Sequence, residues 1–133
     1  MMTPAMALAL AAPTILVIED YADTRELLSV LLYRKGYKVV QAASGREGLL
    51  KAWRSHPDLI LMDLALPEMD GLEAARRIHD MPGLSRVPIF VVTANLTPEI
   101  EAEVRAAGCV EMFGKPFDCD SLLETISITL GEG

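Results

Sequence analysis

Five short apolar runs, separated by segments of helical spacing, set the tightest limit on how this chain can fold. They are TILVIE (14–19), YKVVQA (37–42), DLILMD (58–63), PIFVVT (88–93) and VEMF (110–113). Three of them are nearly continuous in Val, Ile and Leu, the mark of strands covered on both faces. Between them, Leu27, Leu28, Leu31 and Leu32 form one helical stripe that stops at Gly36. Leu49, Leu50 and Trp53 mark a second helix, and Asp70 is placed to cap a third whose inner face holds Leu72, Ala75 and Ile78. Thr97-Pro98 opens a fourth and Gly108 closes it, while Leu122, Leu123, Ile126 and Leu130 stripe the last. Strand and helix alternate five times, which predicts an α/β fold: a doubly wound, five-stranded parallel sheet with right-handed crossovers.

A chain of 133 residues suits one domain with one core. The organisation expected is an apolar N-terminal arm over 1–13, with a short packed helix as its competitor, followed by a domain filling 14–133. The arm, MMTPAMALALAAP, lacks the basic start of a signal peptide, and no apolar run is long enough for a membrane span. Nineteen acidic side chains against 12 Lys and Arg give a formal charge of −7. That balance argues against nucleic acid, whose binding needs a basic face. Cys109 and Cys119 have neither framework nor metal-ligand spacing and read as reduced thiols of a cytoplasmic protein.

The polar residues fall where such a sheet places its sites, at the carboxyl ends of the strands. The first strand run ends in Glu19 and is followed by Asp20; the third ends in Asp63, the fourth in Thr93, and Lys115 follows the fifth. Taken singly, each has an ordinary explanation: a cap, a turn former, a strand threonine, a solvated loop lysine. Four successive strand ends supplying such a set are harder to explain that way. With strands one and three adjacent, the carboxylates converge and repel, and a divalent cation relieves the repulsion. Oxygen ligands without His or Cys favour Mg²⁺, and a nearby lysine and hydroxyl suit an incoming anion. The set fits phosphoryl transfer with Asp63 as the nucleophile.

The segments LVIED (16–20), LILMDLALPEMDG (59–71), VVTA (91–94) and GKPF (114–117) resemble the receiver domain of two-component response regulators. The resemblance implies a flavodoxin-like, CheY-like sheet of order 2-1-3-4-5. It further implies that Asp63 is the phosphoacceptor and Asp20 a direct Mg²⁺ ligand. Glu19 then reaches the ion through water, and the main-chain carbonyl of Ala65 completes the protein ligands. Lys115 would pair with the phosphoryl group, its bond to Pro116 often being cis in the family, and Thr93 would be the switch hydroxyl. The implied partners are a sensor histidine kinase or histidine phosphotransfer protein and an unidentified downstream protein, with no further cofactor and no separate enzymatic activity. The readout face would include Glu99, Glu103, Met112 and Asp118. Met112 stands where the family often has Tyr or Phe, and Glu19 where Asp is more frequent. With Gly131 to Gly133 closing the chain, a stand-alone receiver is expected.

Other readings make different demands. A phosphate-independent interaction module on the same fold would not need the acidic set. A flavin-binding protein would need a phosphate loop where Glu19-Asp20 would repel phosphate. An aspartyl phosphatase would need a second acid where Ala65 stands.

Overall fold

The computed structural model describes residues 1–4, 6 and 11–131. Residues 5 and 7–10 of the expected arm lie outside them. Five parallel strands form one sheet of order β2-β1-β3-β4-β5: β1 (Thr14–Ile18), β2 (Lys38–Ala42), β3 (Leu59–Met62), β4 (Ile89–Thr93) and β5 (Glu111–Gly114). Five helices alternate with them: α1 (Ala22–Arg34), α2 (Gly45–Ser55), α3 (Gly71–His79), α4 (Pro98–Ala106) and α5 (Cys119–Thr129). The doubly wound sheet expected from the sequence is the fold observed.

Two apolar layers sandwich the sheet. Leu16 and Ile18 of β1 point into one, with Ile60, Met62, Ala74, Ala75, Ile78 and Val104. Ile15 and Val17 point into the other, with Leu28, Leu32, Leu61, Phe90, Leu122 and Ile126. The two-residue period of a strand thus feeds both layers, which is why its sequence shows no apolar/polar alternation.

The helical stripes need correction at three positions. Leu27, Leu50 and Trp53 are exposed. On α2 the face toward the sheet is made by Gly45, Gly48 and Ala52, with Leu49 at its margin. A Cβ at position 48 would lie 2.6 Å from Cδ1 of Ile18, so a side chain there would force Ile18 to shift.

Capping separates α1 from the other four helices. Ser44, Asp70, Thr97 and Asp118 each accept a backbone N–H of the helix they precede. Tyr21, the residue before α1, provides no side-chain cap. Among the described residues neither Glu19 nor Asp20 caps α1 with its side chain, though Glu19 forms a local turn by accepting the Tyr21 N–H.

β2 is one edge of the sheet. The Ala42 carbonyl turns inward and accepts the Glu19 N–H at 3.0 Å. The preceding carbonyl, that of Gln41, faces the other way and accepts a hydrogen bond from Nζ of Lys51 on α2.

Candidate functional site: an acidic rim at the strand ends

The strand order determines which loops meet. β1 lies between β2 and β3, with Ile18 opposite Met62, so the residues following them emerge side by side. Glu19 and Asp20 leave β1, and Asp63 leaves β3, its N–H donating to the Ile18 carbonyl at 3.0 Å. One carboxylate oxygen from each of the three acids lies within 4.8 Å of the others. Glu19 and Asp63 are buried, and Asp20 is exposed.

Lys115 joins them from the loop after β5. Its backbone N–H donates to the Thr93 carbonyl at 2.8 Å, tying that loop to the end of β4. Its ammonium reaches Oε1 of Glu19 at 2.5 Å and Oδ2 of Asp63 at 2.9 Å. The Lys115–Pro116 bond is cis, in keeping with what the family resemblance implies.

The remaining carboxylate oxygens have local partners. The Tyr21 N–H donates to Oε2 of Glu19 at 3.1 Å, and the Ala65 N–H to Oδ1 of Asp63 at 3.2 Å. Asp63 therefore also forms a local turn through this bond. Asp20 differs: its carboxylate accepts no hydrogen bond among the described residues.

Burial sets the electrostatics. It raises the Glu19 carboxyl above its ordinary 4.5, with the Asp63 charge adding to the rise; the Lys115 and Tyr21 hydrogen bonds oppose it without cancelling it. For Lys115, burial works to lower the ammonium. The hydrogen bonds and charges of Glu19 and Asp63 outweigh it, and the net shift is upward from 10.5. Lys115 pairs with two of the three clustered carboxylates and leaves Asp20 without an ammonium partner, a charge balance that favours a further cation.

Thr93 is buried at the same rim, but its hydroxyl turns to its own loop and accepts the Asn95 N–H at 3.4 Å. Glu19, Asp20, Asp63 and Lys115 are thus brought together, with Thr93 and the Ala65 backbone beside them. Two residues that the sequence did not single out also shape the rim. Arg25 reaches back from α1 to the Glu19 carbonyl at 2.9 Å and the Asp20 carbonyl at 3.4 Å. Gly71 packs so closely that a Cβ there would lie 2.6 Å from the Asp63 carbonyl oxygen. The only sequence signal for either is position: Arg25 one helical turn after the acids, Gly71 directly after the α3 cap.

The rim is shallow. A groove of about 920 Å³ between α1 and β2 contains none of these side chains, and the recess that Glu19 and Asp63 line is far smaller.

The family model of the response regulator receiver domain matches residues 15–127. Among curated proteins, the polar-differentiation response regulator DivK of Brucella ovis is 35% identical over 119 residues, covering 90% of this chain and 97% of DivK. The chemotaxis protein CheY4 of Vibrio cholerae superposes with a TM-score of 0.85 at 32% identity, covering 90% of this chain and 99% of CheY4. The receiver domain of a Pseudomonas aeruginosa sensor histidine kinase, whose structure has a magnesium ion coordinated in its active-site cleft, gives 0.83 at 32% identity over 91% of this chain and 99% of its own. With the sheet order, the acidic rim and the matched residues all in agreement, this chain belongs to the response regulator receiver family.

Proposed function

We propose that the chain is a phosphorylation-dependent receiver in a two-component phosphorelay, with Asp63 as the phosphoacceptor. The observation that carries this reading is the convergence of Glu19, Asp20 and Asp63 within 4.8 Å, with the Lys115 ammonium on Asp63. An all-oxygen donor set of this kind fits Mg²⁺, held by Glu19, Asp20, Asp63 and the carbonyl of Ala65. The ion, when bound, supplies neutralisation of the negative charge that gathers during phosphoryl transfer.

An Asp63 carboxylate oxygen attacks phosphorus of a phosphohistidine on a sensor kinase or phosphotransfer protein. The new P–O bond forms as the P–N bond breaks, and the leaving imidazole takes up a proton. Lys115 then pairs with a phosphoryl oxygen in place of the Asp63 carboxylate oxygen it now contacts. Thr93 exchanges its weak contact at Asn95 for the phosphoryl group, and that exchange biases the neighbouring loop. The surface carrying Glu99, Glu103, Met112 and Asp118 reads out the change to a protein partner. Met112 is half-buried against the core, so a thioether repacks where the family often swings an aromatic ring.

Residues 14–133 form the receiver and 1–13 an arm in this reading, and the chain works in the cytoplasm. Among the described residues no helix is long and apolar enough to cross a membrane. The protein is spent and reset at Asp63 rather than turning over a separate substrate, so it is a signalling protein and not an enzyme.

Incubation with a small-molecule phosphodonor and Mg²⁺ should add one phosphate to the intact mass, and Asp63→Asn should abolish the addition. A wild-type protein that binds Mg²⁺ yet gains no mass would overturn the assignment of Asp63.

A further inference from the structure

Of the three clustered acids, two are held by their own side chains and one is not. Glu19 is gripped by Lys115 and the Tyr21 N–H, and Asp63 by Lys115 and the Ala65 N–H. The Asp20 carboxylate is exposed and accepts no hydrogen bond among the described residues. Its direction therefore depends on the backbone that carries it. That backbone is the short turn between β1 and α1, whose preceding residue Tyr21 provides no side-chain cap and where the Glu19 carboxylate holds only the Tyr21 N–H.

Arg25 occupies the place from which this turn can be held. Its backbone lies in the first turns of α1, where its N–H donates to the Tyr21 carbonyl at 3.0 Å. Its guanidinium folds back so that one nitrogen serves the Glu19 and Asp20 carbonyls together, at 2.9 and 3.4 Å. Two successive peptide planes are thereby fixed, and Asp20 is attached to both. The side chain is half-buried between this turn and α2, where its charge also helps lower the Glu47 carboxyl.

We infer that Arg25 is a positioning residue for the metal site, orienting the Asp20 carboxylate through the Glu19 and Asp20 carbonyls. The inference rests on the reading of Glu19, Asp20 and Asp63 as Mg²⁺ ligands. Its sign separates it from a simple charge effect. A guanidinium beside a cation site repels Mg²⁺, so loss of the charge alone would tighten binding. Loss of the positioning bonds weakens it, because Asp20 must then be ordered at the moment the ion binds.

The test compares wild type, Arg25→Met and Arg25→Lys. Met keeps the apolar stem without charge or donors, and Lys retains a donor within reach of the same carbonyls. Mg²⁺ is titrated into each unphosphorylated protein by calorimetry, and the half-saturating Mg²⁺ for phosphorylation by a small-molecule donor is measured alongside. Arg25→Met should raise the half-saturating Mg²⁺ by about tenfold, the lower end of what losing a group that orients a metal ligand costs. The rate at saturating Mg²⁺ should stay near that of wild type, and Arg25→Lys should recover most of the affinity. Binding by Arg25→Met that is unchanged or tighter overturns the inference. If wild type itself binds no Mg²⁺, the metal-site reading fails instead. Should Arg25→Met fail to fold, Arg25→Gln, with a shorter and uncharged arm, is titrated in its place: weaker Mg²⁺ binding supports the inference, and unchanged or tighter binding refutes it.

Discussion

Replacing Gly71 with alanine tests whether the turn after β3 is held by close backbone packing. A Cβ at this position would stand 2.6 Å from the Asp63 carbonyl oxygen and 2.8 Å from Cα of Leu64. Ordinary contact begins near 3.4 Å, so the backbone must open by about 0.6–0.8 Å. The obstacles are main-chain atoms, and no side-chain rotation relieves them. The Gly71 N–H also donates to the Leu64 carbonyl at 3.0 Å, so α3 and the turn cannot part without straining that bond. Overpacking of this kind costs about 1–3 kcal/mol. Alanine returns at most about 1 kcal/mol through helix propensity, and less in a first turn than in a helix interior. The net expectation is a loss of about 1–2 kcal/mol, or a fall of about 3–10 °C in Tm for a domain of this size. Thermal unfolding followed by circular dichroism measures it directly. Because the same movement displaces Asp63, phosphorylation at a fixed donor concentration should slow in the same variant. A Gly71→Ala protein as stable as wild type would refute the close-packing argument.

The remaining predictions concern ionisation and access. Lys115 has a folded-state pKa above 10.5, so its stabilising contribution is complete below that pH and is lost as pH rises through the folded value. Lys115→Met should lower stability at pH 7 by about 2–3 kcal/mol, somewhat under the cost of breaking a fully buried pair because the ammonium is partly solvated. It should also flatten the alkaline limb of a denaturant-unfolding series between pH 9 and 12. Burial pushes the Cys109 thiol up to about 11, and only Cys119 is part-exposed. A thiol-alkylating reagent at pH 8 should therefore add one label to the folded protein and two after unfolding, as read by intact mass.

The parts of the fold that were legible in the sequence share a physical cause. β1, β3 and β4 are buried on both faces, and that burial writes itself as unbroken Val, Ile and Leu. Asp70 and Thr97 announced helix starts because capping requires a short polar side chain at a given offset. The helix faces were harder to read. Leu50 and Trp53 sit at helical spacing yet are exposed, while the sheet is met by Gly48 and Ala52. Close approach selects small residues, which carry no apolar signal to count. The acids and Lys115 were legible because charge at the end of a buried strand is conspicuous. Arg25 and Gly71 were not, since each acts on main-chain carbonyls that leave no pattern in side-chain type. Nor does the sequence say that the Thr93 hydroxyl turns toward Asn95, since rotamers have no sequence signature.

The lysine on the Gln41 carbonyl bears on how far this sheet can grow. An outer strand normally presents a row of open amide groups, and a second molecule can extend the sheet by docking there. Here a positively charged tip from the adjacent helix occupies one acceptor in that row. For a chain with 51% hydrophobic residues, such a stopper hinders unwanted stacking of one molecule on the next. Removing it by Lys51→Ala would leave the rim chemistry alone while opening a template for self-association.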